Sequence, residues 1–555
     1  MPKAIDYSKY GITFQTFINK LDKHYADEPS QFYIDMKERP YMVLISVAGM
    51  AFKSTDELIQ KRRYAPPDSK ERCLYAVYHV LANNEAYGNT RMKDSELARQ
   101  VNGLCPEAMR HIVDIVKDSS GIYYEPLNHW VSKRGTYNAE VNIAEHIKHR
   151  LANPVKLDVN VNKYKRNGDF ELTDEQLSAL QMVANNSVCM VNGPGGSGKS
   201  TMVNAILDML DNAKKSYVCL TPTGISAKVL RGYTGRPAST AHMFLTGPYI
   251  TDYVVLEECS MLGVHLLSAL LSAIGNRPNL IFVGDSAQLA SISCGSIIRD
   301  IIESNTVPRV ILSKIFRYNT SGIVTIATDV RHGDSTNLIK QFDDYQFIPT
   351  SDDPINQMVY IYDSLLEQGY SQDDILMLCP FNKHIGADEI NKRISAKYNH
   401  NEPIRKNSDI KIGDRVINIK NSYGQSDEDF VANGDIGWLR GKRYVKAERA
   451  NHFLVDFENG QHEIKSLANL KLSYCVSIHK SQGSSAKIVV VLIDKSHDFF
   501  LSRNLLYTAI TRARDGLIIV GDIDAIKQGL NVVSNEIRNT WLKELLTTAH
   551  NSATM

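Results

Sequence analysis

Apolar positions recur at helical spacing through the first part of the chain. In Glu71–Asn83 the residues Leu74, Val77, Tyr78 and Leu81 fall on one face, and a similar period returns from Asp94 to Val116. A small helical domain over 1–150 is therefore expected. The next stretch, 151–170 (LANPVKLDVNVNKYKRNGDF), is polar, basic and poor in large apolar side chains, and reads as a linker. Beyond it the texture changes to short β-branched or apolar runs alternating with amphipathic helical segments. The runs are SVCMVNG, SYVCLTP, DYVVLEE and NLIFVGD, then DILMLCP, KIVVVLID and GLIIVGD. Buried parallel strands in α/β units have this appearance. Their two groups predict two α/β domains, over 171–310 and over 311–405 with 472–549. Within the second, KIGDRVINIK, GDIGWLRG and HFLVDFENGQHEIKSL read instead as hairpin strands with Asn-Gly and Gly-Asp turns. A small β-barrel inserted at 406–471 is expected, and the tail 550–555 is expected to fray.

Length supports several domains, since 555 residues exceed the roughly 250 to 300 at which single cores stop growing. Hydrophobic residues at 43% and charged residues at 23% exclude a disordered, collagen-like or coiled-coil chain overall. The longest nearly apolar stretch, Met42–Phe52, is about half the roughly 20 residues that a membrane-crossing helix needs. The start, MPKAIDYSKYG, has no apolar secretion segment, so a cytoplasmic location is expected. Eight cysteines lie singly without a CxxC pair, which suits reduced core thiols. The net charge of +1 excludes a strongly basic protein that coats nucleic acid but leaves room for a local basic channel.

The sharpest chemical signal is Gly193-Pro194-Gly195-Gly196-Ser197-Gly198-Lys199-Ser200, which satisfies GxxxxGK[ST] between a predicted strand and a predicted helix. Glycines let backbone N–H groups curl around phosphate oxygens, and the helix N-terminus adds partial positive charge. Lys199 is expected to reach the β and γ phosphates, and Ser200 to ligand Mg²⁺. Glu257 and Glu258 close another predicted strand, as an acid that holds the metal beside one that polarises water. Gln288, in GDSAQL, ends a further strand and offers an amide to the γ-phosphate and to the neighbouring domain. Arg317 and Arg512 lie beyond the first α/β domain, where they are placed to reach back as arginine fingers.

In this order the segments resemble the superfamily 1 DNA helicases of the 5′ to 3′ branch typified by RecD and Dda, over about 170 to 540. LTDEQ, with Gln176, resembles the adenine-reading Q motif, and GPGGSGKST, through Thr201, resembles motif I. TPTGISAK and STAH look like the motifs that hold DNA phosphates, LEECSM resembles motif II, GDSAQL motif III, and the Arg317 segment motif IV. LCPFNKHIGADEIN looks like the segment that opens the second motor domain. NGDIG resembles the start of an inserted SH3-like barrel, SIHKSQGSS motif V, and LLYTAITRAR motif VI. ERPYMVLISVAGMAFKSTDELIQ, GNT at Gly88–Thr90 and YNAEVNIAEHI resemble the helix-hairpin-helix-bearing N-terminal region of the long RecD-like subfamily.

The resemblance implies two tandem RecA-like P-loop motor domains with an inserted SH3-like barrel and a helical N-terminal domain. It implies an ATP-dependent helicase that moves 5′ to 3′ on single-stranded DNA and unwinds duplexes in replication, recombination or repair. Thr221, Thr223 and His242 would grip phosphates on the first motor domain, and Asn382, Ser477, His479 and Lys480 on the second. Single strands and duplex junctions are the implied partners, with single-strand-binding or recombination and replication proteins beside them, for a monomer. Two readings stay open: a translocase with weak unwinding, and an ATP-binding subunit of a recombination or nuclease complex. The pattern departs from the family twice. Glu257 stands where Asp is usual, and its extra methylene is expected to loosen Mg²⁺ coordination. Only Phe244–Tyr253 fills the place of the strand-splitting pin, and at roughly 3.3 Å per residue a four-residue hairpin arm reaches about 13 Å.

Overall fold

The structure, a computed structural model, describes residues 5–548 except 168–169, 248–249, 317–321, 423–430, 447 and 535–536. One compact unit comprises Met1–Asn142 with Ile292–Gly295 and Arg538–Leu545; the other holds the rest of the chain.

In the first unit, helices α1 (Gln15–His24), α2 (Pro29–Glu38), α3 (Phe52–Arg62) and α4 (Lys70–Ala86) form the expected helical body. The α4 N-terminus is capped by Ser69, whose hydroxyl accepts the Arg72 N–H at 3.2 Å. The periodic run from Asp94 is not one helix. It follows strand β1 (Met92–Lys93) and breaks into α5 (Asp94–Asn102), a 3₁₀ turn (Pro106–His111) and α6 (Ile112–Asp118), because Gly103 and Pro106 punctuate it. Strands β2 (Ile122–Glu125) and β3 (Trp130–Lys133) then complete a three-stranded antiparallel sheet, ordered β1-β3-β2, that the helical reading lacked. The C-terminal segment closes this unit. Trp541 donates its indole N–H to Ser132 Oγ at 2.6 Å. The Arg91 guanidinium lies over the Trp130 and Trp541 rings at 4.3 and 4.5 Å and forks onto Glu544 at 2.7 and 2.6 Å.

Helix α7 (Arg134–Ala152) carries the chain onward. The stretch expected as a linker is docked in the second unit, where Leu157 and Val161 are buried and the Leu157 N–H donates to Ala184 O at 2.7 Å. The first lobe of this unit is a six-stranded parallel sheet of β4 (Val188–Asn192), β5 (Tyr217–Thr221), β6 (Ala238–Thr240), β7 (Tyr253–Leu256), β8 (Asn279–Gly284) and β9 (Arg309–Ile311), ordered β9-β4-β8-β7-β5-β6. Helices α8 (Asp174–Asn185), α9 (Lys199–Asn212), α10 (Gly224–Thr234) and α11 (Val264–Ile274) belong to the same lobe. Among the described residues of 245–252 there is no strand.

The second lobe continues with α12 (Gly322–His332), β10 (Tyr345–Pro349) and β11 (Ile375–Cys379) before the insertion. Of the SH3-like barrel expected there, the described residues form a five-stranded antiparallel sheet of β12 (Arg415–Asn418), β13 (Ile436–Val445), β14 (Ala450–Phe457), β15 (Gly460–Ile464) and β16 (Leu470–Leu472), ordered β15-β14-β13-β12-β16. Arg415, which opens β12, is buried and donates to Gln372 O and Ile375 O at 3.0 and 2.9 Å, while Arg440 and Arg443 pair with Asp456 and Glu463. The chain then returns through β17 (Cys475–Ser477), β18 (Ala486–Ile493), α13 (Arg503–Ile510) and β19 (Ala513–Gly521) to finish a parallel sheet ordered β10-β19-β18-β11-β17. In parallel α/β sheets, ligands bind where loops leave the carboxyl ends of the strands, and the motif segments occupy those ends in both lobes. No helix among the described residues is long and apolar enough to cross a membrane.

Candidate nucleotide and nucleic-acid site

The loop between β4 and α9 is shaped by backbone that a side chain would strain: Gly196 and Gly198 have φ of 82° and 77°. A Cβ on Gly193 would lie 2.7 Å from Ser197 Oγ, and one on Gly195 would lie 3.3 Å from Thr511 of the second lobe. The Lys199 ammonium donates to the carbonyls of Gly193 and Pro194 at 2.8 and 2.9 Å. Ser197 Oγ is buried without a hydrogen-bond partner among the described residues. Gln176 completes the capping box of α8: its Oε1 accepts the Thr173 N–H at 3.0 Å and its Nε2 donates to Gly198 O at 3.4 Å, which ties that helix to the loop.

A cavity of about 620 Å³ opens here. Gln176, Gly195, Gly196, Gly198, Lys199, Ser200, Thr201, Glu257, Glu258 and Gln288 line it from the first lobe, and Gly483, Ser484, Thr511 and Arg512 from the second. Gly193 and Ser197 shape the loop from behind it. Arg317 lies outside the described residues, while its neighbour Phe316 lines the cavity with Gln176.

Burial, and then the adjacent Glu258, push the Glu257 carboxyl well above the ordinary carboxylate range, against the pull of Lys199. Glu258 sits at φ 54°, in the left-handed region that a β-carbon disfavours, and its Oε2 is buried without a hydrogen-bond partner among the described residues. Two crowded carboxylates beside the Ser200 hydroxyl offer a hard oxygen-ligand set that suits a divalent cation such as Mg²⁺. Buried Arg512 is held by the helix that precedes it, α13, and by the loop after β17, donating to Thr508 O and Ser484 O at 3.1 Å each.

The lobes are interlaced behind this cavity. Tyr507 Oη donates to Asp285 Oδ2 at 2.9 Å and accepts the Gly195 N–H at 3.2 Å. Arg331, on α12, lies 3.5 Å from the other Asp285 oxygen. The Leu289 N–H donates to Thr508 Oγ1 at 3.0 Å, and Asn504 donates to Ala287 O at 3.0 Å. Asp285, Tyr507 and Arg331 were missed by the motif reading. Asp285 and Tyr507 lie inside GDSAQL and YTAITRAR, so an aromatic and an acid in matched motifs were the available signal. Arg331 carried none.

The residues proposed for a nucleic-acid track fall into three groups. Buried Thr221 donates its hydroxyl to Thr223 O at 2.8 Å, and Thr223 caps α10 by accepting the Ser226 N–H at 3.2 Å, so both shape the loop. His242 is exposed on the same lobe. On the other lobe, Asn382 leaves β11, and Ser477, His479 and Lys480 leave the adjacent β17. Burial and nearby Lys471 hold the Lys480 ammonium below its ordinary pKa, against the opposing pull of Asp388. The loop after β17 approaches the first of these groups, where a Cβ on Gly483 would lie 2.5 Å from Ser226 Oγ and 3.3 Å from Thr223 Oγ1.

Fold and site define a two-lobed P-loop protein of the helicase class. Residues 171–353 match the family model of an AAA domain, 472–520 that of a UvrD-like helicase C-terminal domain, and 4–91 that of the ATP-dependent RecD2 DNA helicase HHH domain. The chain is similar to RecD-like helicases along most of its length. It is 28% identical over 549 residues to the ATP-dependent RecD2 DNA helicase of Deinococcus radiodurans, covering 92% of this chain and 74% of that one. It is 24% identical over 431 residues to the RecBCD enzyme subunit RecD of Mycolicibacterium smegmatis, covering 67% and 75%. Among solved structures it is similar to Bacteroides Pif1 bound to single-stranded DNA, at 17% identity and a TM-score of 0.42 over 63% of this chain and 92% of that one.

Proposed function

We propose that the chain is an ATP-dependent DNA helicase that moves 5′ to 3′ along a single strand. One observation carries the reading: a single cavity gathers Lys199, Ser200, Glu257, Glu258 and Gln288 from one lobe and Arg512 from the other. Nucleotide bound there touches both lobes, so its γ-phosphate favours the closed arrangement and its loss releases it. Lys199 leaves the loop carbonyls for the phosphates, Glu258 takes the proton of the attacking water, and Arg512 neutralises charge that develops on the transferring group. Arg317 is proposed as a second finger. Ser200 and Glu257 would hold Mg²⁺, which when bound screens the phosphate charge. The 5′ to 3′ direction rests on the resemblance of the motifs to the RecD and Dda branch. Phosphate contacts from His242, Asn382, Ser477, His479 and Lys480 make binding sequence-tolerant and salt-sensitive.

The test is ATP turnover with and without oligonucleotide, in the wild type and in Lys199→Ala. Strong stimulation in the wild type alone is expected; equal, negligible rates overturn the reading. A translocase with weak unwinding is the second reading, favoured by the lack of a strand among the described residues of 245–252. A forked duplex with a 5′ tail separates the two, because that translocase turns over ATP without releasing the strand.

A further inference from the structure

Three neighbouring strands of the second lobe, β18, β11 and β17, send their carboxyl-end loops to one edge of the sheet. Two of these loops carry the proposed phosphate contacts Asn382, His479 and Lys480. The third, after β18, ends in Phe499 and Phe500, which are 79% and 41% exposed. These rings are not scattered surface residues. Phe381, immediately before Asn382, stacks on Phe499 with centroids 5.3 Å apart and planes at 24°, and meets Phe500 at 4.7 Å. Phe500 in turn meets the His479 ring at 5.7 Å. The base of the cluster is rigid: Phe381 O accepts the Ala387 N–H at 3.0 Å, and His497 Nε2 bonds Ile385 O at 2.7 Å.

We propose that Phe499, backed by Phe381 and Phe500, is a stacking platform for a nucleobase of the single strand whose phosphates the neighbouring loops hold. The proposal rests on the DNA-motor reading and adds a contact to bases where that reading has contacts to phosphates. Holding a stacked aromatic ring almost fully in water gains little for the fold, whereas the π-face of any base covers it, with no demand on sequence. Occupancy by a strand follows from continuity: His479 belongs to the ring cluster and to the loop that carries Lys480, and Asn382 adjoins Phe381.

The experiment compares equilibrium binding of a labelled oligothymidylate with that of an abasic oligomer of equal phosphate count, using the full chain as wild type, Phe499→Ala and Phe499→Trp. The wild type is expected to prefer the oligothymidylate by about 5- to 140-fold, the range of one stacked base. Phe499→Ala loses most of that preference and keeps its affinity for the abasic oligomer. Phe499→Trp retains the preference, and its added indole emission is quenched by the oligothymidylate but not by the abasic strand. If Phe499→Ala keeps the preference, or weakens both oligomers equally, the platform is overturned while the motor reading stands. If the wild type binds neither oligomer, the motor reading itself falls.

Discussion

Glu258 combines a left-handed backbone with a buried carboxylate oxygen that has no hydrogen-bond partner among the described residues, an arrangement that is stable only if the surrounding strand and loop enforce it. A group held in this way is poised for chemistry. Glu258→Gln keeps the shape and removes the proposed base, so DNA-stimulated turnover is expected to fall about 10²- to 10⁴-fold with ATP affinity nearly unchanged. Turnover near the wild-type rate would remove Glu258 from the role. His497 offers a test of stability. Its Nδ1 accepts the Asp494 N–H at 3.0 Å and its Nε2 faces Ile385 O, which requires the neutral ring, and burial lowers its pKa in the fold. The unfolded ring titrates near about 6.5, so on acidification the unfolded chain takes the proton first. The contribution of His497 is therefore complete above about pH 6.5 and is lost as pH falls from there toward the folded value. Thermal melts at about pH 7.5 and 5.5 should show a smaller acid-induced drop in His497→Gln than in the wild type.

At the scale of elements, α13 joins the two lobes at the site. It brings Tyr507 to Asp285 and Gly195 at once, and Thr508 to the loop after β8. Tyr507→Phe leaves a buried carboxylate short of one donor, at about 1–3 kcal/mol. Reduced stimulation of ATP turnover by DNA is expected beside a lower melting temperature; unchanged stimulation would mean the contact only stabilises. In the first unit, Trp541 closes the surface formed by β3 and Arg91. Trp541→Ala is expected to destabilise that unit by about 3–5 kcal/mol, read as faster hydrogen exchange in α4 and β3 with the P-loop lobe unaffected.

For the whole molecule, the insertion is tied to the first lobe as well as to the second. Lys228 on α10 donates to Asp435 at 2.6 Å with both side chains mostly buried, and Gly434 approaches Ile225. Removing one partner of a buried pair strands the other charge, so Asp435→Ala should cost about 3–5 kcal/mol, and Lys228→Met with Asp435→Leu together much less. A double-mutant cycle on thermal stability checks this. Forked duplexes with either tail test the proposed direction: release is expected from a 5′ tail alone.

Features that depend on a few consecutive residues were legible in the chain. The P-loop glycines, the buried strand runs and the carboxylate pair each impose a local backbone or burial requirement, and neighbouring residues state it. Relations between distant segments were legible only where a motif carried them, as for Arg512 beside the P-loop. Asp285 and Tyr507 are 222 residues apart and meet because two sheets present their carboxyl ends to one cleft. The β1-β3-β2 sheet was overlooked because its strands are short and lie among helical periodicities. Phe499 and Phe500 carry no motif signal, and with Phe381 they form one surface because neighbouring strands bring their loops together. Short-range sterics and solvation act within a segment, whereas the pairing of segments follows from how the chain packs, and that placed the two lobes around one nucleotide-sized space.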